Sequence, residues 1–593
     1  MQVLFLAKRS QMKSSAIGML RNSLPQNEIT EALLQFKKAF RSIGIFTAII
    51  NLLMLVPSIY MMQVYDRVLA SRNDFTLYML SFIALGLFGL ISALEHIRSM
   101  IVIKIGAKID AFLNQRIYTA AFEQNLRGAG VNAGQALNDL TTIRQFVTGS
   151  GMFAFFDAPW FPLYLLVIFI FNPWVGLFAL VSVVILIGLA WLNQWVSSAA
   201  LKEASAVSIQ STSMATNNLR NAEVIEAMGM LPQVRERWFS LHNRFLHLQA
   251  EASRKAAVIT AVTKFVRTSV QSLILGVAAL LVIKGELSGG VMIAASILLG
   301  RTLSPVEQII GVWKQWEGVL SAYKRLEDLL RRHPPRKAGM SLPPPEGSVR
   351  VEQVAAAPPG TNRMVLRNIN FELRAGEIMG MIGASGSGKS TLARLLVGVW
   401  PVANGSVRID GADVFQWSKD ELGPFMGYLP QDIELFAGTI AENIARFGEV
   451  DSFKVVAAAK LAGVHELILQ MPEGYETRVG DGGSGLSGGQ KQRIGLARAL
   501  YGDPVFIVLD EPNSNLDEAG EFALAESILE LKKRQRTVVI ISHRPSIIRI
   551  TDKLMVLQNG AALAFGPTEQ VLEAMAKAQN KPPLAQANPP SAQ

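Results

Sequence analysis

Gly383-Ala384-Ser385-Gly386-Ser387-Gly388-Lys389-Ser390-Thr391 is a glycine-rich loop with a short apolar run, Ile378 to Ile382, before it and a helical pattern, Ser390 to Val399, after it. A strand that enters such a loop and leaves as a helix is the setting a phosphate cradle needs. The glycines let successive backbone N–H groups turn inward on phosphate oxygens, and the helix N-terminus adds partial positive charge. Lys389 would reach the β- and γ-phosphates, and the Ser390 hydroxyl would hold Mg²⁺. The bare pattern arises by chance in roughly one chain in fifty at average residue usage. Its strand–helix context therefore carries the argument.

Further motifs stand around this loop in fixed order: Gln431 after Tyr428-Leu429-Pro430, then Leu486-Ser487-Gly488-Gly489-Gln490, then Val505 to Leu509 followed by Asp510-Glu511, then His543. The all-apolar run Val505 to Leu509 predicts a strand buried on both faces of a parallel sheet. Asp510 at its end can hold a Mg²⁺ shell through water, and Glu511 is the favoured general base for polarising an attacking water. Leu486 to Gln490 opens a helix, Lys491 to Leu500, so its N–H groups form a second anion site. Taken alone, that site could merely cap a helix. The pentapeptide arises by chance in about one chain in a thousand.

In this order the motifs resemble the nucleotide-binding domain of ATP-binding cassette (ABC) transporters along its whole length. The resemblance implies that the Leu486–Gln490 signature covers ATP held by a second copy. One cradle and one signature then imply a homodimer with two ATP between subunits, and Asn515-Leu516-Asp517 would run along that interface. It also implies that Gln431 approaches Mg²⁺ and the attacking water, and that His543 contacts the γ-phosphate and keeps water and base in line. One departure stands out. Family members usually place an aromatic ring upstream to stack on adenine, whereas Val354-Ala355-Ala356-Ala357-Pro358-Pro359-Gly360 has none, so looser base discrimination is expected.

The remainder of the chain is apolar. Half of the 593 residues are hydrophobic and 18% are charged, below the usual charged share of about 25%. Apolar runs long enough to cross a bilayer, about 20 residues each, fall near 43–62, 75–94, 153–171, 173–192, 265–283 and 291–311, the last interrupted by Arg301, Pro305 and Glu307. The expected architecture is an all-α transmembrane domain of six helices (41–332), a proline-rich linker (333–347), an α/β P-loop nucleotide-binding domain (348–575) and a disordered tail (576–593). Residues 1–40 form a cytoplasmic lead-in with an amphipathic helix, Glu28 to Phe40, on the membrane surface, and Met12 is a possible true start. The loops after the second and fourth spans are long and basic, which places them, both termini and the nucleotide-binding domain in the cytoplasm. The +10 formal charge is scattered rather than striped, so no nucleic-acid partner is expected. The chain has no Cys, which excludes disulfides, Cys-ligated zinc and iron–sulfur clusters, and six His leave little basis for any metal beyond nucleotide-bound Mg²⁺.

Six spans with two long cytoplasmic helical hairpins resemble the exporter-type ABC transmembrane domain. By that resemblance, Arg127 to Asn132 and Ser208 to Thr216 would be the segments that touch the nucleotide-binding domains. Asp157 lies in or at the third span; it either belongs to the translocation path or makes a structural bond at a proline-bent helix start. Tyr60 to Val68, Phe156 to Trp160 and Ala294 to Glu307 resemble type I secretion ATPases of the protease and lipase exporters. That likeness implies a multi-pass bacterial inner-membrane protein working with a periplasmic membrane fusion protein and an outer-membrane channel protein. Its cargo would be a secreted polypeptide with a C-terminal signal. With the first span near residue 43 there is no room for an N-terminal peptidase-like domain, so cargo recognition is expected to use the other domains. An exporter of lipid or small amphiphiles shares the same engine and is the alternative. A DNA-repair or translation ATPase is excluded by the spans.

Overall fold

The structure, a computed structural model, describes residues 28–128, 134–335, 341–361 and 363–579. The lead-in before Glu28, most of the first loop tip, part of the linker and the tail after Gln579 lie outside the described residues. The chain divides into two compact units, one comprising 1–125 and 130–335, the other 336–593 with the short segment 126–129.

The first unit is helical. After α1 (Glu28–Gln35), α2 (Lys37–Leu53) and α3 (Val56–Gln63), a π-helical turn at Val64–Val68 leads to α4 (Asp74–Arg127). There follow α5 (Gly134–Thr148), α6 (Ser150–Asp157), α7 (Phe161–Phe171), α8 (Pro173–Arg220), α9 (Ala222–Ala227), α10 (Leu231–Ile283) and α11 (Gly289–Arg332). Among the described residues, six helical segments are long and apolar enough to cross a membrane. At 1.5 Å per residue, the 54 residues of α4 reach roughly 80 Å, far beyond a hydrocarbon core of about 30 Å. The lead-in helix is shorter than expected: it ends at Gln35, and a new helix starts at Lys37 and runs on into the first span.

One expected segment is misplaced. Ser208 to Thr216 sits inside the uninterrupted α8, and the chain reverses instead over Asn221 to Met230, around α9. The cause is local. No Gly or Pro occurs in 208–216, whereas Asn221, Gly229 at φ +62° and Pro232 at the start of α10 supply the helix stop and start signals. The other expected segment straddles a real break between Arg127 and Gly134, of which 129–133 are not described.

Asp157 closes α6 inside a buried polar network. It accepts from Arg98 Nη1 of α4 at 3.0 Å and from Asn51 Nδ2 of α2 at 3.2 Å. Arg98, 7% exposed, also donates to Thr47 Oγ1 at 3.3 Å and lies over the Phe153 ring at 4.4 Å. Tyr164 on α7 donates to Asn51 Oδ1 at 2.8 Å. Four helices are thus joined by groups that bond to one another, which is how a carboxyl group is tolerated among apolar spans. Of the two readings of Asp157, this geometry supports the structural one. The interruption at the sixth span has a similar resolution: α11 continues through Pro305, and Glu307 pairs with Arg267 of α10 at 2.5 Å. At the start of α11, Asp66 accepts from Ser288 Oγ at 2.5 Å and from the Gly290 N–H at 2.8 Å, tying the π-helical turn to the last long helix.

The second unit is built on a six-stranded sheet in the order β12-β11-β3-β10-β9-β6. Its strands are β3 (Ile378–Ile382), β6 (Met426–Leu429), β9 (Phe506–Asp510), β10 (Thr537–Ile541), β11 (Lys553–Gln558) and β12 (Ala561–Pro567). All neighbouring pairs are parallel except β11 with β12. Every residue of β9 and β10 is buried. Their side chains alternate: Ile507, Leu509, Val538 and Ile540 enter one core, while Phe506, Val508, Val539 and Ile541 enter the other. A second sheet packs β1 (Val349–Ala356) between β2 (Leu366–Leu373) and β4 (Asn404–Ile409), both antiparallel to it. The final helix, Thr568–Gln579, continues four residues into the stretch expected to be disordered. Ala576-Lys577-Ala578-Gln579 are all good helix formers, and the first proline comes only at Pro582.

Arg98→Met should lower stability by about 1–3 kcal/mol, since it removes the donor from the half-buried Asp157 carboxyl. Arg98→Met with Asp157→Leu should recover most of that loss. Thermal midpoints in detergent check this; a double variant as unstable as the sum of the two singles would contradict the pairing.

Candidate nucleotide-binding and hydrolysis site

The motifs, up to 160 or so positions apart along the chain, meet at one edge of the central sheet (roughly; Gly383 to His543). Gly383 follows β3, Gln431 follows β6, Asp510 and Glu511 end β9, and His543 follows β10. These four strands are neighbours in the order β3-β10-β9-β6 and run in the same direction. Ligands of open α/β sheets bind at the carboxyl ends of the strands. The sheet order alone therefore brings the four motifs to one place.

The loop after β3 has the shape its sequence requires. Gly388 stands at φ +104° as the residue before α12 (Lys389–Leu396), and a Cβ there would lie 2.7 Å from Leu366 Cδ2. Ala384, Ser385 and Gly386 are exposed at the crest, whereas Ser387, Gly388, Lys389 and Thr391 are buried. The Lys389 ammonium donates to the carbonyls of Gly383 at 2.6 Å and Ala384 at 3.0 Å. Its charge is held on the loop itself.

Asp510 is 1% exposed, and both carboxylate oxygens lack a hydrogen-bond partner at ordinary distance. Burial pushes its pKa above the ordinary carboxylate value; the Ser390 hydroxyl opposes this rise, and neighbouring Glu511 adds to it. The Ser387 hydroxyl is also buried without a partner. Unsatisfied buried oxygens beside a lysine-bearing loop need a ligand, and an acceptor-only carboxylate pair fits a hard divalent cation.

Glu511 adopts φ +50° immediately before Pro512, a conformation that costs a non-glycine residue about 1–3 kcal/mol. Several bonds enforce it. Its N–H donates to Ile541 O of β10 at 3.0 Å, and its carboxylate accepts from Gln431 Nε2 at 3.1 Å. Its carbonyl accepts from the Ser514 N–H at 3.2 Å and from Gln492 Nε2 at 3.1 Å. His543 is exposed and makes no side-chain hydrogen bond among the described residues, while adjacent Ser542 donates to Asn513 Oδ1 at 2.9 Å. The structure thus joins Gln431 directly to Glu511, with His543 just past the end of the neighbouring strand β10.

Ser487 and Gln490 form a reciprocal cap on α15 (Gly488–Leu500; α13 being Ile440–Ile444 and α14 Ser452–Leu461). Leu486 packs against the core. At the far end of α15, the Arg446 guanidinium donates to the carbonyls of Arg498 at 3.0 Å and Ala499 at 3.1 Å. Asp517 pairs with Arg493 Nη2 at 2.9 Å and caps the next helix, Glu518–Lys533, through the Gly520 N–H. The signature and the Asn515–Asp517 loop are in contact: a Cβ on Gly489 would lie 2.8 Å from Asn515 O. Gln492 went unnoticed in the sequence, although it stands four residues before Leu496 on the apolar face of α15, where an amide needs partners.

The chain matches the ABC transporter transmembrane region over residues 41–306 and the ABC transporter model over 366–514. It is 44% identical over 546 residues to the type I secretion system ATP-binding protein PrsD of Rhizobium meliloti (strain 1021), covering 91% of this chain and 93% of that one. It is 29% identical to the leukotoxin translocation ATP-binding protein LktB of Mannheimia haemolytica, covering 91% of this chain and 77% of the relative. Among solved structures, a bacterial Atm1-family ABC exporter with ATP bound superposes with a TM-score of 0.80 at 22% identity, covering 93% and 99% of the two chains, a likeness of fold.

Gly489→Ala should displace the Asn515 carbonyl. ATP hydrolysis should fall at least on the order of tenfold, while nucleotide binding to the 383–391 loop stays near wild type. Fluorescent-nucleotide titration beside a phosphate-release assay checks the split, and full hydrolysis by the variant would contradict it.

Proposed function

Because the chain belongs to the ABC transporters, among the type I secretion system ATP-binding proteins, we propose that it exports a polypeptide from cytoplasm to exterior by hydrolysing ATP. The observation that carries this reading is the meeting of Lys389, Asp510, Glu511, Gln431 and His543 at the ends of four adjacent strands. In the proposed mechanism the 383–391 backbone cradles the phosphates, and Lys389 leaves its loop carbonyls for the β- and γ-phosphates. Ser390, Asp510 and Gln431 would hold Mg²⁺, which neutralises charge on the phosphates when bound. Glu511 polarises the attacking water, and His543 keeps water and γ-phosphate in line. Leu486 to Gln490, with Asp517 close by, covers ATP bound to a second copy, so the working unit is a homodimer.

The chain is a multi-pass membrane protein; its basic long loops support a cytoplasmic nucleotide-binding domain and cytoplasmic termini. A periplasmic membrane fusion protein and an outer-membrane channel would complete the path. Within the secretion family, the segments 60–68, 156–160 and 294–307 favour the protease and lipase exporter branch, with a cargo recognised by its C-terminal segment.

Glu511→Gln should cut ATP hydrolysis on the order of 10²- to 10⁴-fold and leave MgATP binding intact; hydrolysis that persists would remove Glu511 as the base. ATPase activity should respond to a C-terminal cargo fragment and not to added lipid. With no ring between Val354 and Gly360 to stack on the base, ATP and GTP should give similar Michaelis constants, and a strong ATP preference would show that adenine is held elsewhere.

A further inference from the structure

Gln492 is 1% exposed and lies two residues beyond the signature, on the face of α15 that bonds to the residues following β9. Every hydrogen-bonding direction of its amide that the structure uses leads to a functional segment. Its Nε2 donates to the Glu511 carbonyl at 3.1 Å. Its Oε1 accepts from Asn515 Nδ2 at 3.0 Å and from Ser514 Oγ at 3.2 Å. The same Asn515 presents its carbonyl against Gly489 of the signature. One side chain therefore connects the helix that begins at Ser487, the loop that carries Asn515, and the strained residue that bears the carboxylate.

We propose that Gln492 is a positioning residue through which occupancy of the signature sets the backbone of Glu511, so that ATP bound by one copy prepares hydrolysis at the other copy's site. This rests on Glu511 being the base and on the signature covering a partner's ATP. The physical argument is one of reach and stiffness. Glu511 holds φ +50°, and its carbonyl direction depends on two donors, Ser514 N–H and Gln492 Nε2. The first donor belongs to the same turn and moves with it. The second is fixed to α15, whose N-terminus is closed by the Ser487–Gln490 cap and whose C-terminal carbonyls are held by Arg446. A helix held at both ends moves as a body. A phosphate drawn to its N-terminus therefore displaces Gln492 and, through it, the Glu511 peptide, while Gln431 keeps hold of the carboxylate at 3.1 Å. Small displacements of a base matter, because an error of about 1 Å in position can cost on the order of 100-fold in rate.

The test uses full-length protein in nanodiscs, with Gln492→Glu, Asn515→Ala and Glu511→Gln compared with wild type. Gln492→Glu keeps the shape and the acceptors for Ser514 and Asn515 but removes the N–H that Glu511 receives. It should bind fluorescent ATP as wild type does, lose on the order of 10- to 100-fold in kcat with little change in KM, and show a Hill coefficient for ATP reduced toward one. Asn515→Ala, at an exposed position, should move the same two quantities in the same direction by less; it keeps the proposal testable if the buried substitution fails to fold. Equal kcat and an unchanged Hill coefficient in the folded variants, with Glu511→Gln inactive, would overturn the role of Gln492 alone. An active Glu511→Gln would overturn the assignment of the base instead.

Discussion

Asp510 ends a strand that is buried along its whole length, with neither carboxylate oxygen in a hydrogen bond at ordinary distance, and a second carboxylate, Glu511, follows it directly. Everything else in the nucleotide-binding unit can be understood from that constraint. A buried acid with a second carboxylate beside it is unfavourable unless cations or protons relieve it, and burial already favours protonation of Asp510. Lys389 stands on the neighbouring loop, bound to its carbonyls. The arrangement is poised for a ligand that brings phosphates to the lysine and a divalent cation to the acids. Glu511 is kept out of that arrangement by its strained backbone and by Gln431, leaving its carboxylate available to water.

The membrane unit solves a related problem by the opposite means. Its charges are paired within the unit: buried Arg98 with half-buried Asp157, half-buried Glu307 with the more exposed Arg267, and buried Asp139 with the more exposed Arg325 at 2.7 Å. Such pairs specify which helices adjoin one another while adding little net stability, since desolvation offsets much of the attraction. The helices α4, α10 and α11, which take part in these contacts, are each longer than a bilayer is thick. A movement at one end of such a rod is transmitted along its length.

Much of this was legible in the residues themselves. The buried β9 and β10 were visible as unbroken apolar runs, and the loop at 383–391 announced its strand and helix by its neighbours. The six spans were visible because lipid demands a minimum apolar length. What escaped was set by three-dimensional satisfaction rather than by pattern. Asp157 was ambiguous until Arg98, Asn51 and Tyr164 arrived from other helices. Ser208 to Thr216, marked by resemblance as a contact segment, lies within a continuous helix, because the stop signals come only at Asn221 and Gly229. Gln492 stands beside a conspicuous pentapeptide, and an amide on the apolar side of a helix is itself a sign of a buried bond.

The central claim is that each ATP is enclosed by the 383–391 loop of one copy and the 486–490 signature of another. Mixing two inactive chains tests it most directly, one carrying Lys389→Ala and the other Ser487→Arg. If sites are shared, mixed dimers contain one intact loop facing one intact signature, and ATP hydrolysis on mixing should rise above that of either variant alone, though well below wild type, because the chain with the intact loop has an unoccupied signature of its own. If hydrolysis stays absent although mixed dimers are shown to form, each chain must complete its own site, and the account is wrong.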